Sequence, residues 1–216
     1  MWSPVRFWLT FVYGFRINNR QVIPKKQHGK GLIIVSNHVS IKDPFIVTTA
    51  IPLFSGRHPI FYISMPQKFY ERFGKIVHAL MHNKLQQLIG GFSVVFGQKN
   101  YEATLKKHVD ILNAGGTLLV FVEGKISRDG TMHSPKPGVG YLVERTDADV
   151  LPVAISGAYK TSAFGYLRDA EKRVQVTMLD AFKKEELLEG LSSDPLARLY
   201  EIAEKITARI ENFMSA

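Results

Sequence analysis

Apolar residues recur along this chain in two rhythms. Short, largely apolar runs predict strands near 31–36, 58–63, 92–96, 117–122, 150–155 and 174–179. The run at 117–122 is apolar after its first residue, Thr117, which predicts a central strand covered on both faces. Between these runs, apolar residues return every three or four positions. That spacing predicts helices over about 3–16, from Asp43-Pro44 through Val47, over 66–89, over 101–113 with a stop at Gly115-Gly116, and over 139–146. Asp194-Pro195 reads as an N-cap followed by a proline at the first helical position. The helix after it carries Leu196, Leu199, Ile202, Ile206, Ile210 and Phe213 on one face and Glu201, Glu204, Lys205, Arg209 and Glu211 on the other. A loop rich in Gly, Ser and Pro covers 124–138. No internal repeat interrupts the alternation. The expectation is a single layered α/β domain with a mixed, largely parallel sheet flanked by helices, plus a short N-terminal aromatic helix.

The charge distribution adds a partner. The chain has 216 residues and a formal net charge of +9. Residues 1–100 hold thirteen Lys/Arg against only Asp43 and Glu71, whereas 101–216 hold fifteen against seventeen acids. The surplus therefore comes from the first half, which points to an anionic partner, a nucleic acid or a membrane surface. The N-terminus favours the membrane. Trp2, Phe7, Trp8, Phe11, Tyr13 and Phe15 precede Arg16, Arg20, Lys25, Lys26 and Lys30. Aromatic rings flanked by cations suit the membrane–water interface, and the stretch is shorter than the ~20 residues of a spanning helix. Residues 1–24 are therefore expected to associate with a membrane surface, with a separate domain at 25–216. Equally, the first helix can pack on a core. No helix-turn-helix, zinc-finger or RNA-recognition signature supports nucleic acid as the partner. There is no cysteine, which excludes disulfides and thiol catalysis. His78 and His82 are four apart without the following glutamate of a zinc-protease helix, so no metal is expected.

Two segments carry chemistry. The first, Asn37-His38-Val39-Ser40-Ile41-Lys42-Asp43-Pro44, lies between a predicted strand and a predicted helix. His38 is a natural base near neutral pH, and Asp43 can orient it if the chain turns between them. With no Gly-x-Ser-x-Gly elbow in the chain, an acceptor hydroxyl is the better candidate nucleophile. By position alone, His38 also reads as a structural strand-end residue and Asp43 as a helix N-cap. The second segment, Phe121 to Gly130, turns on Gly124 after the most apolar run. Lys125, Arg128 and Lys136 are candidate phosphate ligands, backbone N–H groups of the turn can hold an oxyanion, and Glu123 can accept from a substrate hydroxyl or lock the loop.

Together these segments resemble the glycerolipid acyltransferases typified by lysophosphatidic acid acyltransferases. Asn37 to Asp43 matches the family's Asn-His-x-Ser-x-x-Asp block. Phe121-x-Glu123-Gly124-x-x-Ser127-Arg128 is similar to its Phe-Pro-Glu-Gly-Thr-Arg-Ser block, and Lys136-Pro137-Gly138 resembles the Lys-x-Gly downstream. Gly91 to Val95 stands at the second block, and the apolar strand with central Pro152 is similar to the fourth. The resemblance implies that His38 and Asp43 are catalytic and that Glu123, Gly124, Lys125, Ser127, Arg128 and Lys136 shape the substrate site. It implies an acyl-CoA or acyl carrier protein donor, a lysophospholipid acceptor and no cofactor; the expected membrane affinity adds residence on the cytoplasmic face of a membrane.

The sequence departs from this pattern where the family places acceptor-phosphate arginines. Gly97 ends the second block, and Lys125-Ile126 replace Thr-Arg in the third; Val122 stands for the usual proline. Lys99, Lys125, Arg128 and Lys136 are the cations available to compensate, though lysine lacks the bidentate fork of arginine. The alternatives are a different polar-lipid acceptor, water as acceptor in a hydrolase, or a non-catalytic lipid- or nucleic-acid-binding protein.

Overall fold

The computed structural model describes residues 2–64, 87, 90–94 and 100–215. The helix expected over 66–89, including His78 and His82, lies outside them apart from helical Gln87 and the turn residue Gly90, as do Gly97, Lys99 and the end of the strand expected at 92–96.

The expected mixed sheet is present, with seven strands: β1 Arg16–Asn18, β2 Leu32–Ser36, β3 Ile60–Ser64, β4 Gly91–Ser93, β5 Thr117–Phe121, β6 Asp149–Ser156 and β7 Gln175–Met178. Their spatial order is β1-β7-β6-β2-β5-β3-β4. All neighbours are parallel except β6 and β7, so β2 to β6 form one parallel block and β7 and β1 run against it. β2 lies between β5 and β6, with Ser36 opposite both Phe121 and Val153. The residues after β2 and after β5 therefore leave the sheet side by side at its carboxyl end. Functional groups collect at such strand ends.

Alternation along the central strands separates two apolar layers. Ile33, Val35, Leu118 and Val120 face helices α3 (Tyr101–Asn113), α4 (Gly138–Arg145) and α6 (Pro195–Ser215). Leu32, Ile34, Leu119 and Leu151 face α1 (Trp2–Tyr13) and α2 (Asp43–Ala50). Nearly every residue of β2, β5 and β6 is buried because both faces are covered, which explains their largely apolar runs.

Helix ends follow local chemistry. Asn100 caps α3 by accepting from the Ala103 N–H, and Asp194 caps α6 by accepting from the Ala197 N–H. α3 stops where Gly115 takes a φ of +77° and Gly116 N–H reaches back to the Ile111 carbonyl. Along α6, Leu199, Ile202, Ile206 and Ile210 are buried as the stripe predicts, while Leu196 and Phe213 at its two ends are exposed. α4 crosses α6 so closely that a Cβ on Gly140 would lie 2.1 Å from the Leu199 carbonyl oxygen.

Two elements differ from expectation. The N-terminal helix ends at Tyr13, not near 16. Gly14 takes a φ of +60°, and the Val174 N–H to Tyr13 carbonyl and Arg16 N–H to Val174 carbonyl bonds draw the chain into the sheet edge as β1. The short helix α5 (Lys184–Leu188) has no counterpart in the apolar pattern. Among the described residues, no helix is long and apolar enough to cross a membrane.

One buried group makes the fold acid-sensitive. His108 on α3 is buried, and neither ring nitrogen has a hydrogen-bond partner among the described residues. Burial lowers its pKa from 6.5 to about 4; the Phe92 backbone offsets this in part without reaching hydrogen-bond geometry. The native state thus favours the neutral ring. The stability this confers is complete above the unfolded pKa and is lost as pH falls through the window between the two values. At about 1.4 kcal/mol per pKa unit the full contribution is roughly 3 kcal/mol. Urea denaturation at pH 7 and pH 4.5 should find that His108→Leu loses about 2–3 kcal/mol less on acidification than the parent protein.

Candidate active site

The turn after β2 is built around buried side chains that accept from its own backbone. Asn37 is fully buried; its amide donates to the Ile155 carbonyl at 2.9 Å and accepts from the Ile155 N–H at 2.8 Å. That two-way clamp fixes the end of β2 to β6. The next residue, His38, places its ring at the mouth of the sheet. Its Nδ1 lies 2.9 Å from Asp43 Oδ2. The same oxygen accepts from the Val39 N–H at 2.7 Å and the Ser40 N–H at 2.8 Å. The chain therefore wraps around one carboxylate oxygen, which is how two residues five apart meet.

Asp43 is the first residue of α2, and Lys42 occupies the cap position without a side-chain cap bond. The carboxylate is thus turned back into the preceding loop instead of capping its own helix. It is fully buried, and its Oδ1 has no hydrogen-bond partner among the described residues. The His38 imidazole stacks on Phe121 at the end of β5, with centroids 3.9 Å apart and planes 14° from parallel. Asp43 and Phe121 together set the ring's orientation. Nε2 has no hydrogen bond to any described residue, and the side chain remains 14% exposed. This is the arrangement of a general base: one nitrogen oriented by a carboxylate, the other open to a substrate proton.

Glu123 binds the two segments together. Its Oε1 accepts from the His38 N–H at 2.9 Å and its Oε2 from the His133 N–H at 3.0 Å. Burial raises its pKa, and these two backbone bonds oppose the shift. Of the two roles open to it in the sequence, the geometry supplies the loop lock. Gly124 follows with a φ of +64° and turns the chain, and Ser127 N–H donates to the His38 carbonyl at 2.7 Å. The segment 124–126 is thereby bracketed by two residues bonded to the His38 main chain.

The remaining predicted residues surround this turn. Lys136 N–H donates to the Val122 carbonyl, and its side chain lies over Gly124, where an added Cβ would come within 3.2 Å of Cγ. Lys125, Arg128 and Lys136 are exposed. Ser127 is buried instead, its hydroxyl donating to Asp129 Oδ1 and accepting from the Gly130 N–H, so it shapes the loop from within. Asp129, which sequence reasoning passed over, also accepts from the Thr131 hydroxyl and N–H; these bonds hold its carboxyl down at about 2. Tyr159 braces the loop from outside, its hydroxyl donating to the Arg128 carbonyl at 2.7 Å. The exposed cations stand ready for an anionic group, and the Glu123–Ser127–Asp129 network holds the loop that carries them.

Replacing Glu123 by Gln keeps its size but sets a donor amide against one of the two backbone N–H groups. Urea denaturation should show a loss of about 1–3 kcal/mol.

Known proteins show the same architecture. The structure matches the crystal structure of the 1-acyl-sn-glycerophosphate (LPA) acyltransferase PlsC from Thermotoga maritima with a TM-score of 0.60, covering 100% of this chain and 78% of that chain at 21% sequence identity. That likeness is one of fold. The Acyltransferase family model matches residues 14–156, a span that runs from the end of the N-terminal helix through β6 and includes the dyad, the Glu123 lock and the loop they enclose. This chain, with its His38–Asp43 pair at the head of a parallel sheet, belongs to the Acyltransferase family.

Proposed function

We propose that this acyltransferase moves a fatty acyl group from an acyl thioester, carried by coenzyme A or by acyl carrier protein, to a hydroxyl of a lysophospholipid such as 1-acylglycerol-3-phosphate. The observation that carries the reading is the His38–Asp43 pair, with Nε2 unbonded to any described residue, and a loop locked to the His38 main chain that bears the exposed cations Lys125, Arg128 and Lys136. Nε2 takes the proton of the acceptor hydroxyl as its oxygen forms a bond to the thioester carbonyl carbon. The carbonyl oxygen becomes the oxyanion of a tetrahedral intermediate. In the bracketed turn the Gly124 N–H already donates to the Phe121 carbonyl, so the N–H groups of Lys125 and Ile126 are the candidate donors for it. The carbon–sulfur bond then breaks, and the imidazolium returns its proton to the departing thiolate. Asp43 stabilises the imidazolium between these two transfers. No cofactor or metal enters this scheme.

Lys125, Arg128 and Lys136 are the proposed ligands of the acceptor phosphate. Lysine offers a point charge in place of a fork, so the phosphate is expected to be held by several cations at once.

A membrane face is part of the proposal. α1 exposes Phe7 (73%), Trp8 (51%) and Phe11 (60%), and Phe164 adds its ring edge-on to Phe11. Ile41 and Phe45, on either side of Asp43, are exposed as well. Apolar side chains thus border the dyad's own turn, and the cationic surplus of the first hundred residues favours an anionic leaflet. Such a surface lets an insoluble acceptor reach His38 from the cytoplasmic side of the bilayer.

The test is a panel of lysolipid acceptors, with and without phosphate, offered with one labelled acyl-CoA or acyl carrier protein thioester. Transfer to phosphate-bearing acceptors is expected. Lys125→Ala should weaken it mainly through KM, whereas His38→Ala should abolish it while near-ultraviolet circular dichroism stays unchanged. Full activity in His38→Ala rules the mechanism out. Phe7→Ser combined with Phe11→Ser should reduce sedimentation with phosphatidylglycerol vesicles; undiminished sedimentation removes α1 from the membrane face.

A further inference from the structure

The half-buried ammonium of Lys42 pairs with no carboxylate among the described residues. Its Nζ donates to the Tyr13 hydroxyl at 2.9 Å and stands 4.4 Å from the centroid of the same ring. Tyr13 is the last residue of α1 and is itself buried. Trp8, one of the exposed rings of α1, packs edge-on against it with centroids 5.4 Å apart. On the other side, Lys42 directly precedes Asp43. Its carbonyl accepts from the Phe45 and Ile46 N–H groups, so it also anchors the first turn of α2. A phenol and its ring face therefore hold the residue that sets where the Asp43 carboxylate begins.

Tyr13 is in turn fixed from behind. Its carbonyl accepts from the Val174 N–H, Phe164 N–H donates to the Val12 carbonyl, and the Tyr166 hydroxyl donates to the Phe11 carbonyl at 2.8 Å. The end of α1 is thus a firm abutment, tied at three successive carbonyls. A lysine on a flexible four-carbon stem gains a defined position only when its ammonium is held at a fixed point. Here that point belongs to the helix carrying the exposed aromatic face.

We infer that Tyr13 and Lys42 are positioning residues for the catalytic dyad: α1 holds the turn between His38 and Asp43 through the Tyr13–Lys42 contact, so the N-terminal helix belongs to the catalytic apparatus as well as to the surface. This rests on the acyl-transfer reading above and adds a role that the exposed rings do not supply. Small displacements of a base from its substrate lower turnover steeply, so losing the contact is expected to act on kcat.

Tyr13→Phe removes the hydroxyl and leaves both the ring and the exposed face of α1 intact. Lys42→Met removes the ammonium from the other side. Each single variant is expected to lower kcat by roughly tenfold with acceptor KM and vesicle sedimentation unchanged, and the double variant to be no worse than the poorer single. Additive losses overturn the coupling. A second readout needs no acceptor at all: 15N spectra of the histidines, with His38 assigned by its loss in His38→Ala. The parent protein should show His38 in one tautomer, Nδ1–H toward Asp43, and both single variants should show tautomer exchange. Unaltered His38 signals in both variants overturn the inference even if the acceptor proves to be something other than a lysophospholipid. Absence of transfer in the parent protein, with altered His38 signals in the variants, would instead remove the functional reading and leave the positioning role standing.

Discussion

Backbone N–H groups in a turn that stays open to substrate need partners, and buried acceptor side chains supply them. Asp43 takes those of Val39 and Ser40, Glu123 takes those of His38 and His133, and Asn37 closes a ring with Ile155. This satisfaction of the main chain is the constraint on which the site depends. Because each acceptor is buried and held by more than one bond, it can orient His38 without yielding to solvent. The cost of burying two carboxylates is offset by the donors converging on them, and both lie where loss of a single donor would leave charge uncompensated.

The sheet explains why these acceptors come from distant parts of the chain. β2 sits between β5 and β6, so its end meets Glu123, 85 residues on, and Ile155, 118 residues on from Asn37. A parallel block brings the carboxyl ends of its strands to one edge, and the pair β7–β1, mutually parallel but running against that block, carries the chain's first helix back to that same edge. The family match spanning 14–156 covers the parallel block and leaves α6 outside, although α6 seals one apolar layer.

Much of this was legible in the residues. The central strands announced themselves because each is covered on both faces, which confines polar residues such as Ser36, Thr117 and Asp149 to strand ends. α3 is legible from its apolar spacing and its glycine stop, and α6 from its cap and its stripe. β1 was not, since Arg16-Ile17-Asn18 has no pattern of its own and becomes a strand only when Val174 offers it an edge. The His38–Asp43 pair could be singled out from its residue types and its resemblance to the family block, but its support could not. Nothing in the sequence says that Phe121 lies flat against the imidazole, that Asn37 reaches Ile155, or that Glu123 spends both oxygens on backbone. Those are facts of register and of long-range contact. The resemblance counts Ser127 among the residues that shape the substrate site without saying how; its burial beneath Asp129 and Gly130 follows from a turn whose φ angles the sequence only hints at through glycine.

The flat contact between Phe121 and His38 has a consequence for the order of events. An imidazole pinned by a stacked ring and by a carboxylate at Nδ1 cannot turn over to present its other edge. In the proposed transfer, one nitrogen would therefore both collect the proton and give it back. The oxygen that loses the proton and the sulfur that gains it would then lie within a single hop of the same atom. Acceptor and thioester would share one small volume at the same moment, and a phenylalanine ring would fix their meeting place.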